Sequence, residues 1–254
     1  MKIVAIIQAR MGSTRLPGKA LIKIEDKTVL EHVIRRVQAC HLVDAVVVAT
    51  TVSKGDLPIV KLCAEKGISV YCGSEDDVLD RYYQAAKLFS AETVIRITAD
   101  CPLMDPQVIE AVVRKHIKDG ADYTSNIIDE TFPDGEDVEV FSVAALKKAW
   151  LEAKLSSERE HVTPYIRKSP NIFKLASVSN QIDLSQKRWT LDNQEDLLFI
   201  SGIFASLYPK DPIFGMKEIL SFLAGNPALE EINGHLSRNE GYAKSLREDK
   251  IVRS

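Results

Sequence analysis

A chain of 254 residues that is 45% hydrophobic and 27% charged has the composition of an ordinary globular protein and room for one large domain. Its formal net charge of −3 leaves no basic excess to grip a nucleic-acid backbone, which excludes that class of partner. The apolar part of MKIVAIIQAR is too short for a secretory signal, no run approaches a membrane span, and the cysteines (Cys40, Cys63, Cys72, Cys101) form no C-x-x-C pair. A cytoplasmic chain with reduced thiols and no membrane partner is therefore expected.

In chain order, β-branched apolar runs at residues 3–7, 45–51, 68–72 and 93–98 read as strands. Between them Val29, Val33, Ile34 and Val37, and then Val78, Tyr82 and Ala85, recur at helical spacing. A further helix is expected from Pro106, with Asp105 as its N-cap and Ile109, Val112, Val113 and Ile117 on the inner face. Strands alternating with helices predict an α/β fold with a mostly parallel sheet and right-handed crossovers. Continuous apolar strands such as AVVVA suit a sheet covered on both faces.

Beyond about residue 120 the rhythm changes. Residues 123–126 and 137–141 read as strands around an acidic loop, IIDETFPDGED. Helices are expected over 143–154 and 158–168, strands over 173–178 and 188–191, and a helix from about 194 to 207. From residue 225 the chain is polar, and peripheral helices or a loose tail are expected. The simplest division is one domain over 1–225, with an inserted region at about 121–180, and a peripheral segment over 226–254.

The run IIQARMGSTRLPGKAL (residues 6–21) follows the first strand directly. A Walker loop needs four residues between its glycines and a Ser or Thr after the lysine. Here five residues separate Gly12 from Gly18 and Ala20 follows Lys19, so that chemistry is excluded. G-x-G-x-x-G is absent as well, which disfavours a dinucleotide turn. What is left is a loop at the carboxyl end of a strand, where open α/β sheets hold ligands. Its glycines permit close backbone approach or positive φ. Arg10, Arg15 and Lys19, with the hydroxyls of Ser13 and Thr14, suit an anion of several charges. A solvated basic turn is the competing reading of the loop alone.

Polyphosphates are handled with magnesium, which directs attention to carboxylates at other strand ends. VIRITADCPLMDP (residues 94–106) sets Asp100 just past a buried strand, and RWTLDNQEDL (residues 188–197) sets Asp192 at the end of another. Two hard oxygens from separate strand ends suit a cation that keeps waters and takes its other ligands from phosphate. Asp105 reads as a helix cap, and Glu195 and Asp196 as first-turn acids that complement a helix dipole. In YCGSEDDVLDRYYQAA (residues 71–86), Ser74, the backbone at Gly73 and Asp76 or Asp77 are placed to read a nucleotide base. Equally, Ser74 caps a helix with Asp77 three residues on, and Arg81 pairs locally.

Together IIQARMGSTRLPGKAL, GSEDDVLDRY, RITADCPLMDP, REHVTPYI and LDNQEDL resemble the cytidylyltransferase family that includes spore-coat polysaccharide biosynthesis protein F. That family is related to the CMP-3-deoxy-manno-octulosonate and CMP-acylneuraminate synthetases. The likeness runs from residue 1 to about 207. It implies a Rossmann-like fold of the nucleotide-diphosphosugar transferase type. It implies a reaction in which CMP passes from CTP to an acidic sugar, or a phosphate- or phosphonate-bearing acceptor, with release of pyrophosphate. By the same resemblance Mg2+ is the cofactor, bound by Asp100 and Asp192, and Arg10, Lys19 and Asp100 are the catalytic groups. Ala9, Met11, Gly12, Ser13, Arg15, Ser74 and Asp76 would line the nucleotide. Relatives often carry Asp-Thr-Pro-Glu-Asp where this chain has Asp192-Asn193-Gln194-Glu195-Asp196; both flanking acids remain. A homodimer built through the inserted region, and a place in surface-polysaccharide or glycoconjugate biosynthesis, follow only by analogy.

The acceptor side is marked by Asp134, Glu136 and Asp137 in FPDGEDVEVF and by Glu158, Arg159, Glu160 and His161 in SSEREHVTPYIRK. Arg159 and His161 are candidates for an acceptor carboxylate or phosphate; the alternative is an ordinary helix start with a solvated arginine. Two other classes compete. A nucleotide-sugar-dependent glycosyltransferase normally shows Asp-x-Asp at one strand end, whereas four residues separate the acids of TADCPLMD. A scaffold that had lost catalysis would not be expected to keep Arg10, Lys19, Asp100 and Asp192 together.

Overall fold

The structure is a computed structural model and describes residues 1–238 and 240–252. The chain enters through β1 (Ile3–Gln8), passes a small hairpin of β2 (Lys23–Ile24) and β3 (Lys27–Thr28), and turns into α1 (Val29–Gln38). A capping box between Thr28 and Glu31 starts that helix by satisfying backbone N–H groups that have no partner within it. β4 (Ala45–Thr51), α2 (Leu57–Glu65), β5 (Ser69–Gly73), α3 (Val78–Leu88), β6 (Thr93–Thr98) and α4 (Pro106–Asp119) complete a regular alternation. Then come β7 (Tyr123–Ser125), β8 (Glu139–Ser142), α5 (Val143–Glu152), α6 (Ser156–His161), α7 (Pro164–Arg167) and β9 (Leu175–Ser177). Four helices end the chain: α8 (Gln194–Leu207), α9 (Met216–Ala224), α10 (Pro227–Glu230) and α11 (Glu240–Arg247).

Seven strands form one sheet in the order β5-β4-β1-β6-β8-β7-β9. The first four are parallel, and their order reverses between β1 and β6. The crevice beyond the carboxyl ends of two such strands is where ligand sites form. β8 runs antiparallel to β6 and β7, and β9 is parallel to β7, so residues 121–180 extend the same sheet. Alternation along β1 sorts the core. Ile3, Ala5 and Ile7 face Val33 of α1, Ile59 of α2 and Ile109 of α4; Val4 and Ile6 face Leu79 and Tyr82 of α3 and Leu146 of α5. A third cluster around Trp189, Leu191, Phe199 and Phe214 packs α8 and α9 beneath the segment that leads to Asp192. Among the described residues no helix is long and apolar enough to cross a membrane, and all four cysteines are free thiols.

Three expectations are corrected and a fourth is extended. Asp105 does cap α4, accepting from Gln107 N at 2.7 Å, but Ile117 is 47% exposed. The inner row of α4 runs Ile109, Val112, Val113, His116, and Ile117 lies about 100° round the helix from His116. The single helix over 158–168 is two, α6 and α7. Val162 between them sits at φ 71, and Pro164 bars the helix from continuing through its own N–H. Residues 188–191 are extended but make one isolated bridge, Asp134 to Arg188, instead of a ladder. Their backbone bonds go to two loops, Trp189 N to Asp134 O (2.6 Å) and Leu191 N to Asp100 O (2.8 Å). Helices α10 and α11 are the expected peripheral helices, with no residue of either buried, yet α11 lines the crevice beyond the strand ends.

Candidate active site

The loop after β1 folds around one carbonyl. Met11 O accepts from Ser13 N (2.9 Å) and Gly18 N (3.1 Å), and Gly18 stands at φ 72, where a side chain is strained. Asp56, buried behind the loop, accepts from Met11 N at 2.7 Å and from the Thr51 hydroxyl, which anchors the turn to the end of β4. Nothing in the sequence pattern singled out Asp56. The Met11 side chain packs on the core, so only its backbone shapes the loop, whereas Ala9, Arg10, Gly12, Ser13, Arg15 and Lys19 line an open cavity of about 1170 Å³. Gly12 has open space where a Cβ would stand and needs no positive φ, so the fold itself does not require glycine there.

Lys19 is the centre of the charge arrangement. Its Nζ donates to Asp100 Oδ2 (2.6 Å), Asp192 Oδ1 (2.7 Å) and Leu191 O (2.9 Å). The two aspartates therefore converge on one cation, a meeting that the sequence alone does not show. Leu191 N bonding to Asp100 O is what brings them together. Burial alone would push the Asp100 carboxyl up; the Lys19 ammonium beside it holds it at about 2. Burial likewise opposes the charge on Lys19, but Asp100 and Asp192 raise its pKa. Arg15 divides its guanidinium between Asp192 (2.8 Å) and Glu240 (2.8 Å). Arg10 is exposed and makes no side-chain hydrogen bond or ion pair among the described residues.

The opposite wall comes from the loop before α3. Glu75 and Asp76 line the cavity, but Ser74 does not: its hydroxyl accepts from Asp77 N at 3.0 Å within the turn. Asp77, not Ser74, is the N-cap of α3 and accepts from Asp80 N (2.9 Å). Among the described residues Arg81 pairs with no carboxylate. It donates to Ser74 O (2.8 Å) and Glu75 O (3.1 Å), so a buried guanidinium sets the path of this loop.

Asp192 is positioned by a neighbour whose role is larger than complementing a dipole. Asp196 is fully buried; it accepts from the N–H groups of Asp192 and Asn193 (both 2.9 Å) and receives two bonds from Arg188 (both 2.9 Å). Gly135 lets the 131–137 loop lie on this segment. Its φ is +108, and a Cβ there would stand 2.7 Å from Trp189 C and Thr190 N. Gly135→Ala is therefore expected to cost about 3 kcal/mol or more, and to lower activity with it by shifting the chain that carries Asp192; thermal unfolding and rate on one preparation check this.

The acceptor-side candidates divide. Arg159 is buried and committed to Asp77 (3.0 Å from Nε) and Trp150 O (2.7 Å), so it is not a free anion receptor. Asp134, Glu136 and Asp137 lie behind the cavity wall on Arg188, Asp105 N and Arg238 respectively. Glu160 and His161 do line the cavity. Burial, then the charge of Arg96, pushes His161 down to about 4. A ring kept neutral in the fold but protonated when unfolded contributes stability present above its ordinary pKa near 6.5 and lost as pH falls towards 4. His161→Gln is expected to remove about 1 kcal/mol per pH unit from the slope of stability in that window, read from melting midpoints of both proteins.

Three likenesses bear on this site. The chain is 30% identical to the spore coat polysaccharide biosynthesis protein SpsF of Bacillus subtilis over 89% of its length and 95% of the relative's. It is 39% identical to an uncharacterized protein of Methanocaldococcus jannaschii over 98% of this chain and 99% of that one. A solved cytidylyltransferase structure from Leptospira borgpetersenii superposes with a TM-score of 0.87 at 31% identity, covering 93% of this chain and 98% of that one. The family model described as cytidylyltransferase matches residues 4–218, which include the loop after β1, Asp100 and Asp192, and the chain belongs to the cytidylyltransferase family.

Proposed function

We propose that this cytidylyltransferase transfers CMP from CTP to an acidic sugar, or a related phosphate- or phosphonate-bearing acceptor, releasing pyrophosphate and using Mg2+. The observation that carries the reading is the meeting of Lys19 with Asp100 and Asp192 at the switch point of the sheet, beside Arg10 and Arg15. An acceptor oxygen attacks the α-phosphorus in line with the departing pyrophosphate, so the work of the protein is positioning and charge stabilisation. Lys19 and Arg15 exchange carboxylate partners for phosphate oxygens and neutralise the charge that grows on the leaving group. Arg10, already free, takes the α- or β-phosphate. Backbone at Gly12, with space above it, lets the phosphates approach the loop closely.

The donor set fits a hard divalent cation. Asp100 and Asp192 each offer an oxygen to one shared cation, the Lys19 ammonium, and two carboxylates completed by phosphate and water are a common magnesium arrangement. When bound there, Mg2+ would supply Lewis acidity, drawing charge from phosphate and acidifying an acceptor hydroxyl. The acidic acceptor rests on the motifs shared with CMP-3-deoxy-manno-octulosonate synthetases, and a place in surface-polysaccharide assembly on the name of the Bacillus relative.

The test is thermal unfolding with CTP, UTP, ATP or GTP and magnesium, followed by pyrophosphate release with acidic sugars. At 100 times its dissociation constant CTP should add about 2.7 kcal/mol, and Asp100→Asn should reduce the gain. A preference for another nucleotide, or no shift with any of them, would sink the assignment.

A further inference from the structure

α11 lies outside the matched residues 4–218, yet it crosses the mouth of the cavity. Both of its flanks are tied. At its start Glu240 accepts from Arg15 of the phosphate loop at 2.8 Å. Beyond its end Asp249 caps α6, with Oδ1 accepting from Ser157 N (2.9 Å) and the Ser156 hydroxyl (3.0 Å) and Oδ2 from the Ser157 hydroxyl (2.8 Å). Val252 N then donates to Lys154 O at 2.9 Å.

The middle of the helix fixes its rotation. Ser245 donates to Glu160 (2.8 Å) and lies 2.9 Å from His161 Nε2, and the Tyr242 ring meets His161 edge-on with centroids 4.9 Å apart. That row faces α6. Glu240, Lys244 and Arg247, spaced by four and three residues, share another face, the one that meets Arg15. All three line the cavity. Lys244 and Arg247 form no side-chain hydrogen bond or ion pair among the described residues, although Glu240 and Glu248 stand one turn from Lys244. Partners at that spacing normally pair on a helix surface.

The phosphate loop, meanwhile, is short of free charge. Lys19 is held by Asp100 and Asp192, and Arg15 by Asp192 and Glu240, which leaves Arg10. We propose that Lys244 and Arg247 are a second wall of the triphosphate site. They hold the β- and γ-phosphates of CTP against the loop, and Glu240 gives up Arg15 as the nucleotide enters. This rests on the CTP reading above and adds binding residues from beyond the segment that matches the family.

Titration calorimetry with CTP, CMP and pyrophosphate tests it, on the wild type and on Lys244→Ala/Arg247→Ala. CMP lacks the phosphates in question. The double variant should bind CTP and pyrophosphate weaker by about 10- to 100-fold, with CMP affinity unchanged. Lys244→Arg/Arg247→Lys should keep most of the affinity, which separates lost charge from a disturbed helix. Unchanged CTP and pyrophosphate affinity in the alanine variant overturns the proposal, as does an equal loss for CMP. If the wild type binds no CTP, the nucleotide reading falls, and pyrophosphate alone decides the second wall by the same comparison.

Discussion

Lys19→Ala is expected to slow pyrophosphate release by about 10³-fold or more while moving the melting midpoint by only a few degrees. The two effects separate because the same ammonium does different things in the two states. In the unliganded fold it neutralises Asp100 and Asp192, whose side chains are 25% and 21% exposed. Water takes over much of that task when the ammonium is removed, and pairs this accessible contribute about 1 kcal/mol. The Asp100 carboxyl, held at about 2 by Lys19 against its burial, rises once the ammonium is gone. In the proposed reaction no such substitute exists, because charge growing on a leaving pyrophosphate would face the site and not bulk water. Rate and unfolding measured on one preparation decide the matter. A variant that retains most of its rate would remove Lys19 from the chemistry, and one inactive only because it is unfolded would make it a structural lysine.

Much of this arrangement was legible in the chain, for definable reasons. Strands such as residues 45–51 are continuous apolar runs, and their rhythm with amphipathic helices permits few topologies. The cations of the loop follow a strand end directly, so their address needed only local pattern. Asp100 and Asp192 were legible one by one, but their convergence depends on a backbone bond from Leu191 N to Asp100 O, and no periodicity encodes a contact at that separation. Met11 and Ser74 belong to the nucleotide-lining set that the family resemblance implies; the structure spends the Met11 side chain on the core and the Ser74 hydroxyl on a turn. Arg159 looked free until α3 supplied Asp77. The tail was least legible. α11 buries nothing, so hydrophobic patterning is silent about it, and its place over the cavity comes from polar ties at Glu240, Ser245 and Asp249.

Arg188→Leu is expected to be among the most destabilising single changes, costing about 3–5 kcal/mol and lowering the midpoint by roughly 10 °C. Arg188 is 7% exposed and holds Asp196 through two bonds of 2.9 Å, Asp134 at 3.1 Å and Ser237 O at 3.1 Å. Leucine fills similar space but leaves Asp196 fully buried without its counter-charge. Burial already pushes Asp134 up to about 6 with Arg238 and Arg188 opposing it. The sign of the pH dependence follows. In the wild type, burial is outweighed by the Arg188 bonds and Asp196 sits below its ordinary pKa, so its contribution is present above about pH 4 and lost below. In the variant burial is opposed at Asp196 only by Asn233 and the N–H groups of Asp192 and Asn193, so both carboxyls titrate higher and the variant gains less stability as pH rises above about 4. The gap between the two proteins should therefore be widest above neutral pH and close towards pH 4, and melting midpoints across that range measure it. Arg188→Leu with Asp196→Asn should cost less at neutral pH than the sum of the single changes, because one buried charge no longer waits for the other. A gap that stays constant with pH would instead assign the loss to packing around Trp189, and the charge on Arg188 would then not be what holds Asp192 in place.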